Sequence, residues 1–187
     1  MGLLQQKNTQ PVNLESVVLN SERLMLTPVS RTFAEKIFKE FTTDTAHDMM
    51  PKFAGHINDI CIFIDTSIEK MRTGDQLVLA ILDTETVQFS GICAIYGKEQ
   101  GITAELGIWL EKNAQVKKTG HEAIALLTQW AKDNLVLSRL IYPVDKNNIP
   151  SRKSAEPLGD IMAPGHQQES VSGNRLAERV YPVDADA

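Results

Sequence analysis

The sequence predicts a single domain of the mixed α+β class. Three features lead there. Two stretches before residue 75 carry apolar residues at helical spacing, residues 76–110 read as consecutive strands, and a further helix-then-strand pair follows. A length of 187 residues suits one domain with a sizeable core and is short for two.

Residues 1–20 are polar and aperiodic and read as a flexible N-terminal arm, leaving 21–187 as the folded domain. Leu24-Met25-Leu26-Thr27-Pro28 is a short strand stopped by proline. Ser30 then caps a predicted helix in which Phe33, Ile37 and Phe41 share a face. Asp44, Pro51 and Gly55 mark residues 43–56 as an irregular connection, and Ile57, Ile60, Cys61, Ile64, Ile68 and Met71 trace the buried stripe of a second helix.

Strands are predicted at Gln76–Leu82 and Val87–Tyr96, joined by an Asp83–Thr86 hairpin loop, and at Thr103–Leu110. The last alternates, with Leu106, Ile108 and Leu110 on one face and Glu105, Gly107 and Trp109 on the other. A basic loop at 115–118 opens a helix running to about Asn134, with Ala123, Leu126, Leu127, Trp130 and Ala131 as its buried face. A strand at Arg139–Val144, a short helix at Asn148–Leu158 and a hairpin turning at Gly173-Asn174 and ending near Tyr181 complete the chain.

Composition narrows the function classes. A net charge of −5 argues against partnership with nucleic acid or an anionic membrane surface, and suits a cationic substrate. No apolar run approaches membrane-spanning length and the first residues lack a signal-peptide core, so a cytoplasmic location is expected. Gly2 is not followed by Ser or Thr at position 6, against myristoylation. Cys61 and Cys93 sit in apolar surroundings and read as core residues, and His47, His56, His121 and His166 lack metal-ligand spacing; no metal is expected.

The chemistry-bearing stretch runs Glu105-Leu-Gly-Ile-Trp-Leu through Gln115-Val116-Lys117-Lys118-Thr119-Gly120-His121-Glu122: a strand, a polar loop and a helix opening. Thr119-x-x-Glu122 has the form of a capping box, which starts the helix at the loop. A helix N-terminus presents free N–H groups and positive dipole, so it suits phosphate, and Lys117 and Lys118 add mobile charge. An ordinary capped helix with two solvated lysines explains the same residues. Downstream, Asn148-Ile-Pro-Ser151 opens another helix after a strand; the pair falls on one side of a turn and also serves as a helix cap.

Together these stretches resemble the GNAT acetyltransferases, in particular the branch containing the ribosomal-protein N-terminal alanine acetyltransferases. The resemblance spans Ser21-Glu22-Arg23-Leu24 to about Tyr181 and rests on the Glu-Leu-Gly-Ile-Trp-Leu strand, the Gln115 loop and the Asn148-x-x-Ser151 helix ending in Leu158-Gly159. It implies a mixed, mostly antiparallel sheet that splays between the Thr103 and Arg139 strands, with helices on both faces. It also implies acetyl-CoA as co-substrate, with pantetheine against the backbone of Ile108, Trp109 and Leu110 and phosphates over Gln115–His121. The family's Gln/Arg-x-x-Gly-x-Gly/Ala loop falls on Gln115, Lys118 and Gly120, so Lys118 stands where the family has glycine, a position where any Cβ is a cost. Pro157 in the last helical turn and Asp160 after Gly159 also depart from the pattern.

The implied activity is N-acetyl transfer to a primary amine, on a protein N-terminus or a small molecule. Glu105 is the expected base or amine-orienting group, Ser151 the proton donor to the departing thiolate, and Asn148 a positioning donor. Glu105 reads equally as a solvated strand glutamate. The alternative is a noncatalytic acyl-CoA-binding or regulatory module whose phosphate loop has degenerated at Lys118. A homodimer is left open.

Overall fold

A computed structural model describes residues 2–8, 10–41, 55–98, 102–115, 118–145, 161–169 and 175–182. The strands are β1 (Leu19–Asn20), β2 (Leu24–Pro28), β3 (Gln76–Asp83), β4 (Phe89–Gly97), β5 (Thr103–Leu110), β6 (Arg139–Asp145), β7 (Ile161–Glu169) and β8 (Arg175–Pro182). Between them lie α1 (Ala34–Glu40), α2 (Ile57–Thr73) and α3 (Thr119–Asn134). Eight strands form one sheet in the order β1-β2-β3-β4-β5-β6-β8-β7, antiparallel at every pairing but β5–β6.

The core follows from strands that are apolar on both sides. Leu77, Val78, Leu79, Ala80 and Ile81 are all fully buried, so both faces of β3 are covered, as a run with no polar alternation requires. α1 and α2 cover one face, α2 packing on β3, while α3 packs on β4 and β5 across the other. α2 is bounded cleanly. The His56 ring accepts from Asn58 N–H and the Asp59 carboxylate accepts from His56 N–H, and Gly74 closes the helix at φ 78° in the left-handed conformation that glycine adopts without cost.

Three expectations are revised. The first twenty residues are not a loose arm where they are described: Leu4, Leu14 and Val17 are buried, and β1 pairs with β2. These few apolar residues dock against sheet and helix ends, where polarity of the surrounding segment gave no warning. Ser30 does not cap α1, since its hydroxyl pairs with Thr32 and a 3-10 turn at Arg31–Phe33 precedes the helix. On α3 the buried stripe is rotated: Ile124 and Thr128 are buried beside Ala123, Leu127 and Ala131, whereas Leu126 and Trp130 are only partly covered. The sheet face is broader than one periodic row, so it takes residues on both flanks of Leu127. The irregular connection at 43–56 lies outside the described residues up to 54, and the helix expected at Asn148–Leu158 lies wholly outside them.

Candidate functional site

The parallel pairing of β5 with β6 covers Thr103↔Arg139, Ala104↔Leu140 and Glu105↔Ile141, and ends there. β5 continues to Leu110 paired only with β4, and β6 continues to Asp145 paired only with β8. The two strands therefore part after Glu105, and β5 turns one backbone edge of Leu106–Leu110 toward the gap. Backbone N–H and C=O groups at such an edge need partners, and an extended amide-bearing chain supplies them. Along this stretch Trp109 is buried, its ring edge-on to Phe41 at 5.3 Å and tilted against Phe89 at 5.9 Å, while Ile108 and Leu110 are half-buried. Trp109 is thus a packing residue, and its carbonyl oxygen lies on the β4 side, close against Gly91.

Beyond β5 the Gln115 side-chain amide donates to the Leu110 carbonyl at 3.2 Å, folding the loop back onto the strand end. α3 then starts one residue earlier than the Thr119-x-x-Glu122 pattern predicts. Lys118 is the N-cap, at φ 59° and ψ 15°, and no side chain caps the helix. The capping box is not formed, for a simple reason of frame: with Lys118 as cap, Glu122 lies one position too far along to reach back. Its carboxylate turns instead to the β1–β2 turn, where the Ser21 hydroxyl donates to Oε1 at 2.5 Å and Arg23 pairs with Oε2. Burial pushes the Glu122 carboxyl up, but these hydrogen bonds outweigh it and hold it below the usual carboxylate range. Thr119 and Gly120 are buried, His121 is half-buried and Lys118 is exposed.

Lys118 occupies the left-handed region, which a side chain enters at a cost of about 1–2 kcal/mol. The sequence expectation that this position is one for glycine therefore has a conformational basis. The arrangement as a whole presents an uncapped helix N-terminus beyond the end of an open strand edge, with Lys118 at the junction. Such a constellation fits a molecule with an anionic polyphosphate at one end and an amide-rich arm at the other.

Glu105 sits at the point of parting, with its side chain 19% exposed and in an ion pair with Lys98. Tyr96 lies directly opposite on β4, and its hydroxyl is pushed up to about 12, mainly by burial and then by the neighbouring Glu105 charge. Lys98 and Tyr96 were not singled out from sequence, although the hairpin register puts both on the Glu105 face. Ser21 and Arg23 were likewise missed as partners of Glu122, since nothing in the sequence links residues so far apart. Val116, Lys117, Asn148 and Ser151 lie outside the described residues, as do Pro157 and Asp160. Among the described residues no group of three or more His, Cys, Asp or Glu side chains could hold a metal ion, and no helix is long and apolar enough to cross a membrane.

A family model described as an acetyltransferase (GNAT) domain matches residues 23–159. No curated protein sequence matches significantly. Among solved structures, the ribosomal α-N-protein acetyltransferase RimL in complex with coenzyme A superposes with a TM-score of 0.77 at 12% identity, covering 91% of this chain and 100% of that one. The microcin self-immunity acetyltransferase MccE, bound to acetyl-CoA and AMP, gives 0.72 at 21% identity, covering 93% and 96%. RimJ of Mycobacterium smegmatis with a CoA disulfide gives 0.72 at 16%, covering 86% and 82%. At such identities the likeness is one of fold.

Proposed function

The chain belongs to the GNAT acetyltransferase family and is an acyltransferase, and from that premise we propose that it transfers acetyl from acetyl-CoA directly to a primary amine. The observation that carries the proposal is the parting of β5 and β6 after Glu105, with the uncapped N-terminus of α3 beyond the end of the open strand. Pantetheine amides would pair with the backbone of Ile108, Trp109 and Leu110. The pyrophosphate would meet the Gln115–His121 segment. The structural relatives that carry coenzyme A or acetyl-CoA support this assignment of co-substrate.

Bound acetyl-CoA supplies the thioester. The residues of the chain then have proton work to do. An alkyl ammonium titrates near pH ~10.4 and a protein α-amino group near pH ~8, so at neutral pH the acceptor nitrogen must lose a proton before it can attack. Glu105 stands at the head of the gap and is the group to orient that nitrogen and take its proton. Ser151 donates a proton to the departing sulfur, and Asn148 holds the site by hydrogen bonding. The acceptor is a protein N-terminus or a small-molecule amine; the ribosomal-protein relatives favour the former.

Titration with acetyl-CoA in a calorimeter, followed by thiol release with a panel of primary amines, tests the proposal. Binding and amine-dependent release are expected, and absence of both would overturn it. The positive φ of Lys118 at a glycine position favours one rival, a module that binds acyl-CoA without turnover. Heat of binding with no thiol release for any amine is the result that would select it.

A further inference from the structure

Glu122 puts a carboxylate in the first turn of α3, the turn that meets phosphates on the reading above. An unrestrained carboxylate there would compete with them, both by repulsion and by taking the helix's own N-terminal N–H groups. The β1–β2 turn occupies it. Ser21 Oγ accepts from Leu24 N–H at 2.9 Å and donates to Glu122 Oε1, while Arg23 covers Oε2. The turn is itself braced from behind: Thr84 N–H donates to the Arg23 carbonyl at 2.9 Å, and the Thr84 hydroxyl to the Glu22 carbonyl at 3.0 Å. A two-residue strand, a tight turn and a loop from the far side of β3 thus converge on one acidic side chain.

We infer that Ser21 and Arg23 are positioning residues for coenzyme binding, acting through Glu122. They neutralise its charge and hold its carboxylate aside, leaving the α3 N-terminus open to an anion. This rests on the acetyl-CoA reading. Its specific content is that Arg23 affects coenzyme binding through Glu122. A merely structural role for the ion pair would make the loss of either partner harmful, and the loss of both no better.

Calorimetric titration of coenzyme A into the wild type, Arg23→Met, Glu122→Gln and the double variant tests this, with melting temperatures recorded for each. Arg23→Met should weaken binding about fivefold, since it leaves a carboxylate unscreened within roughly a Debye length of the diphosphate. The double variant should return to within about twofold of wild type, and 0.5 M salt should shrink the Arg23→Met effect. Ser21→Ala should weaken binding in the same direction. In turnover the loss should fall on KM for acetyl-CoA and leave kcat in place. Wild-type binding with an unchanged Arg23→Met variant, or a double variant as weak as Arg23→Met, would overturn the inference while leaving the enzyme reading intact. No binding by the wild type would overturn both.

Discussion

The ammonium of Lys98 stands against Glu105 Oε2 across the β4–β5 hairpin, and that oxygen is shielded from water. Its charge is balanced by that contact. An acceptor ammonium arriving at the parting of β5 and β6 would find an orienting carboxylate already matched to a cation of its own kind.

Replacing that carboxylate is the first test. Glu105→Gln keeps the shape and removes the proposed base, so kcat should fall by about a hundredfold, the lower range of general-base contributions, with little change in acetyl-CoA affinity. Lys98→Met should lower KM for the amine by freeing Glu105, and the gain should vanish in a Glu105→Gln background. Steady-state kinetics with both substrates varied separates these effects.

Lys118→Gly should stabilise the fold by about 1 kcal/mol by relieving a left-handed side-chain position, which for a domain of this size raises Tm by roughly 2–4 °C. Lys118→Gln should not. Both variants should flatten the salt dependence of coenzyme binding, because both remove a charge in an exposed loop. Differential scanning calorimetry and titration at two ionic strengths read the two effects independently.

Ser151→Ala should slow single-turnover acetyl transfer while leaving Tm within about a degree, since a proton donor's loss is felt at the leaving sulfur and not in packing. Rapid-quench measurement with acetyl-CoA saturating is the appropriate assay. Rates equal to wild type would make Asn148 and Ser151 a helix cap alone.

Asp75 supplies a pH test. Hydrogen bonds from the Thr73 hydroxyl and then from Leu3 N–H hold its carboxyl below the usual range. A depressed folded-state pKa contributes stability in full above the unfolded value, about 3.9, and that contribution fades as pH falls through the folded value. Asp75→Ala should therefore lower Tm at pH 7, and the gap to wild type should close below about pH 4. Thermal melts from pH 7 to pH 3 follow it.

Most of the fold was legible because its signals are local. The stripe from Ile60 to Met71 and the Asp83–Thr86 loop each arise within one element and are found as expected; on β5 the expected alternation breaks step after Leu106, where Trp109 is covered by Phe41 and Phe89 while Ile108 and Leu110 are only half-buried. What was missed depends on pairing between distant segments. Glu122 reads as a capping residue until Ser21 and Arg23 come into reach, and Leu4 reads as part of a polar arm until a sheet exists to receive it. At the site, the open β5 edge and the Lys118 position followed from the strand-loop-helix pattern and the family resemblance. Lys98 did not, because no rule of spacing marks a lysine two residues beyond the partner of Glu105.

The docked N-terminal segment has a consequence for the order of assembly. Leu4 N–H bonds to the Gly74 carbonyl, Lys7 N–H to the Asn134 carbonyl, and Val136 N–H to the Gln5 carbonyl. These links join residues 3–7 to residues at the ends of α2 and α3, with separations of 72 and 125 in the side-chain bonds of the same strap. During synthesis Gln5 and Lys7 have no partners until α3 has emerged, and long-range contacts of this kind form late. Interactions absent from the folding transition state are felt in the unfolding rate. Gly2, where an added Cβ would stand 2.4 Å from the Thr73 carbonyl oxygen, is the place to disturb it. A Gly2→Val chain should refold at nearly the native rate yet come apart faster, the strap around residues 2–7 acting as the latch that is closed last.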